Sequence, residues 1–250
     1  MSEIKDSSTD IIFNIGSFSI HQHDTMYSIL PDNKYNHSMY NVLFQSFQSG
    51  LPDITQFISN KESIVPLSDM IYDTKSVDVT FNLTMSNVLL KCIYSQILFF
   101  LENNIAISFI DINDIMVING TSFYFCNYRK LYHIKNRFIT ITDFYDLQNP
   151  FLPPELIDNN FIPFSTYYTS SFYSLAVLIL YCLKKTNLGS GMEDKDRENE
   201  DRENEDRENE DREDNSSYQS LLNMYQHTKI YNTLKYCLVK EPKQRSLHMF

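Results

Sequence analysis

The 250-residue chain has no tryptophan, five glycines and four cysteines, and each shortage narrows what it can be. Cys92, Cys126, Cys182 and Cys237 lie far apart, so the paired C-x2-C spacing of a structural zinc site is missing and buried free thiols are expected. Residues 1–45 hold no glycine-rich loop of the kind whose backbone cradles phosphates. The chain reads as having no membrane span, because its most apolar run is far shorter than the about 20 residues a bilayer needs. The N-terminus, Met-Ser-Glu-Ile-Lys-Asp-Ser-Ser, has no apolar signal region. A reducing, cytoplasmic setting is therefore expected, and the Asn-x-Ser/Thr triplets at Asn36, Asn82 and Asn119 read as chance matches.

Basic charge is also scarce. The formal net charge is -11, but residues 193–214 alone carry 14 acidic and 5 basic side chains, so the rest of the chain is nearly neutral. No basic stripe of the sort a nucleic-acid binder needs is visible, and Arg129, Lys130, Lys135 and Arg137 read as a solvated face. Within the acidic tract, residues 196–210 are three tandem copies of Asp-Arg-Glu-Asn-Glu. A five-residue period fits neither helix nor strand and offers nothing apolar to bury, so residues 189–215 are expected to be a disordered insertion.

What the chain has is core material, at 42% hydrophobic and 14% aromatic residues. Residues 172–183, Phe-Tyr-Ser-Leu-Ala-Val-Leu-Ile-Leu-Tyr-Cys-Leu, are apolar on every side of a helix from Leu175 onward, which predicts the central buried helix of a domain. An interior strand pair is the alternative for such residues. Val88, Leu89, Cys92, Ile93, Ile97, Phe100 and Leu101 recur at three- and four-residue intervals and predict a second helix that ends near Asn103-Asn104, with Thr84 or Ser86 as its cap.

Residues 11–20 and 40–47 read as strands from their β-branched and aromatic content, and the His21-x-His23 pair reads as a solvated loop for want of a third ligand. Pro52 and the apolar residues at 54, 57 and 58 predict a short helix over 51–58, and residues 59–81 show no clear period. Asn119-Gly120 between two β-rich runs predicts a hairpin, since both residues tolerate the positive φ of a type I′ turn. Phe138 to Ile141 suits a strand, Pro154 suits the first turn of a helix, and 218–224 and 230–239 suit helices.

In this order the segments resemble the larger lobe of a protein kinase. Pro153-Pro154-Glu155 is similar to the Ala-Pro-Glu that closes a kinase activation segment. Ser171-Phe172-Tyr173-Ser174-Leu175-Ala176 is similar to the Asp-x-Trp-Ser-Leu-Gly that opens the buried helix, and Cys237-Leu238 with Pro242 and Arg245 resembles the family's ending. The resemblance implies an α+β fold, with a mainly helical large lobe over 51–188 and 216–250 and a reduced β-rich remnant over 1–50. It also implies structural roles for Pro154, Glu155, Ser171 and Arg245, with Glu155 and Arg245 as a buried ion pair.

The catalytic half departs from the family. Aligned by the preceding helix and following hairpin, its His-Arg-Asp-Leu-Lys-x-x-Asn loop falls on Ile107-Ser108-Phe109-Ile110-Asp111-Ile112-Asn113-Asp114. Phe109 stands where the catalytic base should be, Asp111 replaces the lysine and Asp114 the metal-binding asparagine. Asn127-Tyr128-Arg129 stands in for Asp-Phe-Gly. The resemblance therefore implies a catalytically inactive, kinase-like interaction module with protein partners and no cofactor, cytoplasmic and similar to kinase-like proteins of large DNA viruses. Two alternatives stay open. One is an atypical kinase or ATP-binding protein using Asp111 and Asp114, with Mg-ATP as cofactor and Asp114 and Asn127 as metal ligands; the carboxylates otherwise read as solvent-facing. The other is a helical adaptor unrelated to kinases.

Overall fold

A segment with no polar face has to be enclosed by other elements, and the helix α5 (Ser170–Gly189) is enclosed in this way. In the computed structural model its side chains from Leu175 to Leu180 are all buried, and the helices α3 (Leu83–Glu102), α6 (Asn215–Asn223) and α7 (Lys229–Cys237) pack against it. The structure describes residues 10–15, 18–23, 26–31, 38–48, 57–58, 64–72, 81–159, 161–189 and 215–248. The N-terminal residues 1–9 and the acidic tract at 193–214 lie outside them.

Helices and small antiparallel sheets together make an α+β fold. Strands β1 (Asp10–Ile15), β2 (Phe18–His23), β3 (Met26–Pro31) and β4 (Phe57–Ile58) form one sheet in that order. The expected strand over 11–20 is thus two strands, paired antiparallel with Ile15 opposite Phe18. His21 and His23 fall on β2 rather than in a loop. The helix expected over 51–58 is not what forms at its described end, where Phe57 pairs with Tyr27 and Ile58 with Met26; residues 51–56 lie outside the described set.

A second correction concerns residues 40–47, which belong to the helix α1 (Ser38–Gln48) and not to a strand. Met39, Tyr40, Leu43 and Phe47 are its buried apolar side chains, a spacing that follows a helical period, and burial along that face outweighs the β propensity of Tyr, Val and Phe. The same hydrophobic cluster takes in Phe18, α1, α3 and α5, so the segment 1–50 contributes a helix to the main core as well as strands.

Helix α3 is the one helix among the described residues long and apolar enough to cross a membrane; in this fold it packs on α5 and on the hairpin that follows it. Its cap is Asn82, whose Oδ1 accepts the Met85 N–H at 3.0 Å, rather than Thr84 or Ser86. The stretch 59–81 contains two elements that carried no periodic signal, β5 (Ile64–Pro66) and α2 (Leu67–Tyr72).

After α3 come β6 (Ile105–Ile107), a 3-10 turn at Ile112–Asp114, and the hairpin of β7 (Ile115–Ile118) and β8 (Ser122–Phe125). Asn119 and Gly120 both have positive φ, 53° and 65°, and Thr121 N–H closes the turn on Ile118 O at 3.2 Å, as the Asn-Gly pair predicts. Strands β5, β7 and β8 make a three-stranded sheet. Strand β9 (Leu131–His133) pairs with β6, and β10 (Phe138–Ile141) with β11 (Phe164–Tyr167). The short helix α4 (Pro154–Ile157) begins with proline in its first turn, where the missing N–H leaves no bond unmade.

Candidate functional site

The loop between β6 and β7 is fixed from three directions. Ser108 N–H donates to Lys130 O at 2.8 Å, and Ile110 N–H donates to the buried Ser174 Oγ on α5 at 2.8 Å. The Ser174 hydroxyl in turn donates to Ser171 O at 3.1 Å, which ties the loop to the start of the buried helix. Cys126 N–H donates to Asp114 O at 2.7 Å and brings the end of β8 against the loop.

Asp111 and Asp114 close a reciprocal cap on the 3-10 turn. Asp111 Oδ1 accepts the Asn113 N–H, and Asp114 Oδ2 accepts the Asp111 N–H, both at 2.9 Å. The other Asp111 oxygen accepts from the Asn149 amide. Asp114 is only 4% exposed, so it is not the solvent-facing carboxylate of a loop. Its Oδ1 accepts from Asn127 Nδ2 at 2.8 Å, and its Oδ2 lies 2.5 Å from Lys130 Nζ. Every oxygen of the two carboxylates is thus engaged by a donor from the chain itself.

Burial pushes the Asp114 carboxyl above its ordinary value, against the opposing pull of the Lys130 ammonium and the Asn127 amide. Lys130, expected on a solvated face, is turned inward instead. Its ammonium lies 2.5 Å from the carboxylate and 3.7 Å from the centre of the Phe109 ring. A buried carboxylate requires a partner, and Lys130 supplies it through a 3-10 turn at Tyr128–Lys130 capped by Asn127 Oδ1. Sequence reasoning missed this residue. The available signal was a lysine three positions beyond Asn127, meaningful only once Asp114 is known to be buried.

Phe109 is buried with Ala106, Ile139, Ile141, Leu152 and Leu156 in a satellite apolar cluster, and its ring meets Tyr145 edge-on at 5.9 Å. A phenyl ring packed in this way neither accepts a proton nor binds a cation through an oxygen. Beside it opens a cleft of about 400 Å³ lined by Ser108, Phe109, Lys130, Asp143, Tyr145 and Asn149, among others. Asp143 accepts from the Tyr132 hydroxyl at 2.9 Å, and burial together with that carboxylate pushes the phenol well above its ordinary range.

The structural residues meet elsewhere. Arg245 grips Glu155 with two parallel bonds, Nη1 to Oε1 at 2.6 Å and Nη2 to Oε2 at 2.7 Å. Its Nε donates to Val239 O at 2.7 Å and Nη2 also to Lys240 O at 2.9 Å, while the guanidinium stacks 5.0 Å from the centre of the Tyr173 ring. Arg245 is 4% exposed and lies in extended backbone just after a 3-10 turn, not within a helix. Pro154 begins the helix that presents Glu155, and Ser171 is buried in the first turn of α5.

Ile107, Ser108, Phe109, Asp111, Asp114 and Asn127 therefore share one neighbourhood, and Pro154, Glu155 and Arg245 share another. Among the described residues no group of three or more His, Cys, Asp or Glu side chains is placed to hold a metal ion. No protein-family model matches the sequence, and no curated protein aligns with it significantly.

Proposed function

We propose that the chain is a protein kinase-like domain that has lost phosphoryl transfer and acts through protein contacts, a pseudokinase. The observation that carries this reading is the state of Asp114. Phosphoryl transfer needs carboxylates free to hold Mg²⁺ against the phosphates and a base to accept the substrate proton. In this chain the carboxylate at the place of the metal-binding asparagine, Asp114, accepts from Asp111 N–H, Asn127 and Lys130, the place of the metal-binding aspartate is Asn127, and the base position is Phe109. An ammonium 2.5 Å from the carboxylate supplies the positive charge that a metal would bring.

Support for the kinase-like part comes from the order α3, loop, hairpin, Asn127, α4 and buried α5, together with the Glu155–Arg245 pair. That pair favours this reading over an unrelated helical adaptor, in which the two residues would have no reason to meet. The rival reading, an active kinase or ATP-binding protein using Asp111 and Asp114, requires oxygens that here are bonded internally. A cytoplasmic location, a viral source and protein partners without bound Mg-ATP belong to the same proposal.

The test is incubation of the purified chain with γ-labelled ATP and Mg²⁺ or Mn²⁺, alone and with a generic basic acceptor protein. No label above background is expected in either. Incorporation that disappears in Asp114→Ala would overturn the proposal.

A further inference from the structure

Nine large apolar side chains are exposed among the described residues, and five of them, Phe138, Phe144, Leu147, Ile157 and Phe161, fall within residues 138–161. Phe144 is 93% exposed and Phe161 81%, so neither ring stabilises the fold by burial. The Tyr145 hydroxyl lies 2.9 Å from Leu156 O and 3.3 Å from Asn159 O, which fastens the arm carrying Phe144 alongside the arm carrying Ile157 and Phe161. The cleft beside Phe109 opens at this surface, with Asp143, Phe144 and Asp146 in its lining.

The charge of the same stretch has one sign. Residues 138–161 contain no lysine, arginine or histidine and four carboxylates, of which Glu155 is taken by Arg245. Asp143, Asp146 and Asp158 remain exposed, and the bonds that Asp143 and Asp146 accept, from the Tyr132 hydroxyl and the Gln148 N–H, are to neutral donors. Arg129 and Lys130 also line the cleft, and Lys130 is held by Asp114. Arg129 is the exposed cation of that lining against the exposed Asp143 and Asp146, so the surface keeps an acidic excess that disfavours anionic lipid and nucleic acid and complements cations set among apolar anchors.

We propose that this face docks a basic peptide segment of a protein partner, its lysine or arginine side chains opposite Asp143 and Asp146 and its aromatic or branched residues covering Phe144 and Phe161. The proposal rests on the reading of the chain as a protein-binding module and names the chemistry of the partner. Cation recognition at the cleft mouth sets register, and the rings supply the apolar area that leaves water.

The experiment is fluorescence anisotropy of the full chain with a labelled dodecapeptide alternating lysine or arginine with phenylalanine or leucine. One control carries glutamate at each basic position and another carries serine at each apolar position. The basic apolar peptide is expected to bind at least about tenfold more tightly than either control and to weaken as salt is added. Phe144→Ser with Phe161→Ser, and separately Asp143→Asn with Asp146→Asn, are each expected to weaken it about tenfold or more while the melting temperature holds. Equal binding of the acidic peptide, undiminished binding by the double phenylalanine variant, or no binding at millimolar protein overturns the proposal. So does a concentration-dependent dimer lost in that variant, which assigns the face to a second copy. The labelling assay separates the two levels: incorporated phosphate removes the pseudokinase reading, whereas a failed peptide titration with no incorporation removes only the docking face.

Discussion

The stretch from Cys126 to Phe161 has two ends that treat water in opposite ways. At the first, Asn127 and Lys130 turn inward and satisfy the buried Asp114. At the second, Phe144 and Phe161 stand in solvent with carboxylates around them. Polar groups buried and mutually bonded form a rigid hub with no chemistry to spare, while apolar groups left exposed form a surface whose energy is released only by a partner. The contrast teaches where to look for function. In the proposed reading, the Asp114 position belongs to the framework and the outward-facing segment to binding.

Substitutions break or sharpen this contrast in a definite order. Arg245→Ala has the largest expected effect, about 3–5 kcal/mol of unfolding free energy, because it strands a mostly buried Glu155 and leaves the Val239 and Lys240 carbonyls without their donor. Urea denaturation measures it, and Arg245→Lys should recover only part of the loss because an ammonium cannot reproduce the two parallel bonds.

Lys130→Met comes next, at about 3 kcal/mol at neutral pH, since it leaves the Asp114 charge buried and unpaired. This loss depends on pH with a fixed sign. Burial raises the Asp114 carboxyl in the folded state above its value of 3.8 in the unfolded chain, so the folded protein holds that proton more tightly. Stability from this group therefore falls as pH rises from that value through the raised one. Removing Lys130 removes a lowering influence and extends the window upward. The deficit of Lys130→Met should be smaller in mildly acidic buffer than at neutral pH, and adding Asp114→Asn should abolish the difference.

Ser174→Ala should lose about 1–3 kcal/mol by leaving the buried Ile110 N–H without an acceptor, and faster hydrogen exchange at Ile110 would localise the effect. Phe144→Ser is expected to change stability by less than about 0.5 kcal/mol, because its ring is almost wholly in water. A large loss there would mean that the segment is part of the core and would dissolve the contrast.

Much of the framework was legible from local pattern. Helix α5 announces itself because no face of it is polar, and the β7–β8 hairpin because Asn119-Gly120 admits the positive φ that the turn adopts. The meeting of Glu155 with Arg245 came from the kinase-like motifs and not from spacing, since the residues are 90 positions apart. Helix α1 was hidden because Tyr40, Val42, Phe44 and Phe47 carry β propensity, and only their burial against α3 and the hairpin decides for helix. Lys130 was the deeper miss. Its role is set by Asp114, 16 positions earlier, and an isolated lysine beside an arginine looks like surface until that carboxylate is known to be inside.

The central claim is that the Asp114 site is closed to metal-bound nucleotide, and a thermal shift with ATP, in the presence and absence of Mg²⁺ or Mn²⁺, tests it most directly. A ligand at 100 times its dissociation constant adds about 2.7 kcal/mol to stability, enough to move the midpoint by several degrees. The account predicts no shift at millimolar nucleotide with either metal. A metal-dependent shift in the wild-type chain that vanishes in Asp114→Ala would contradict it.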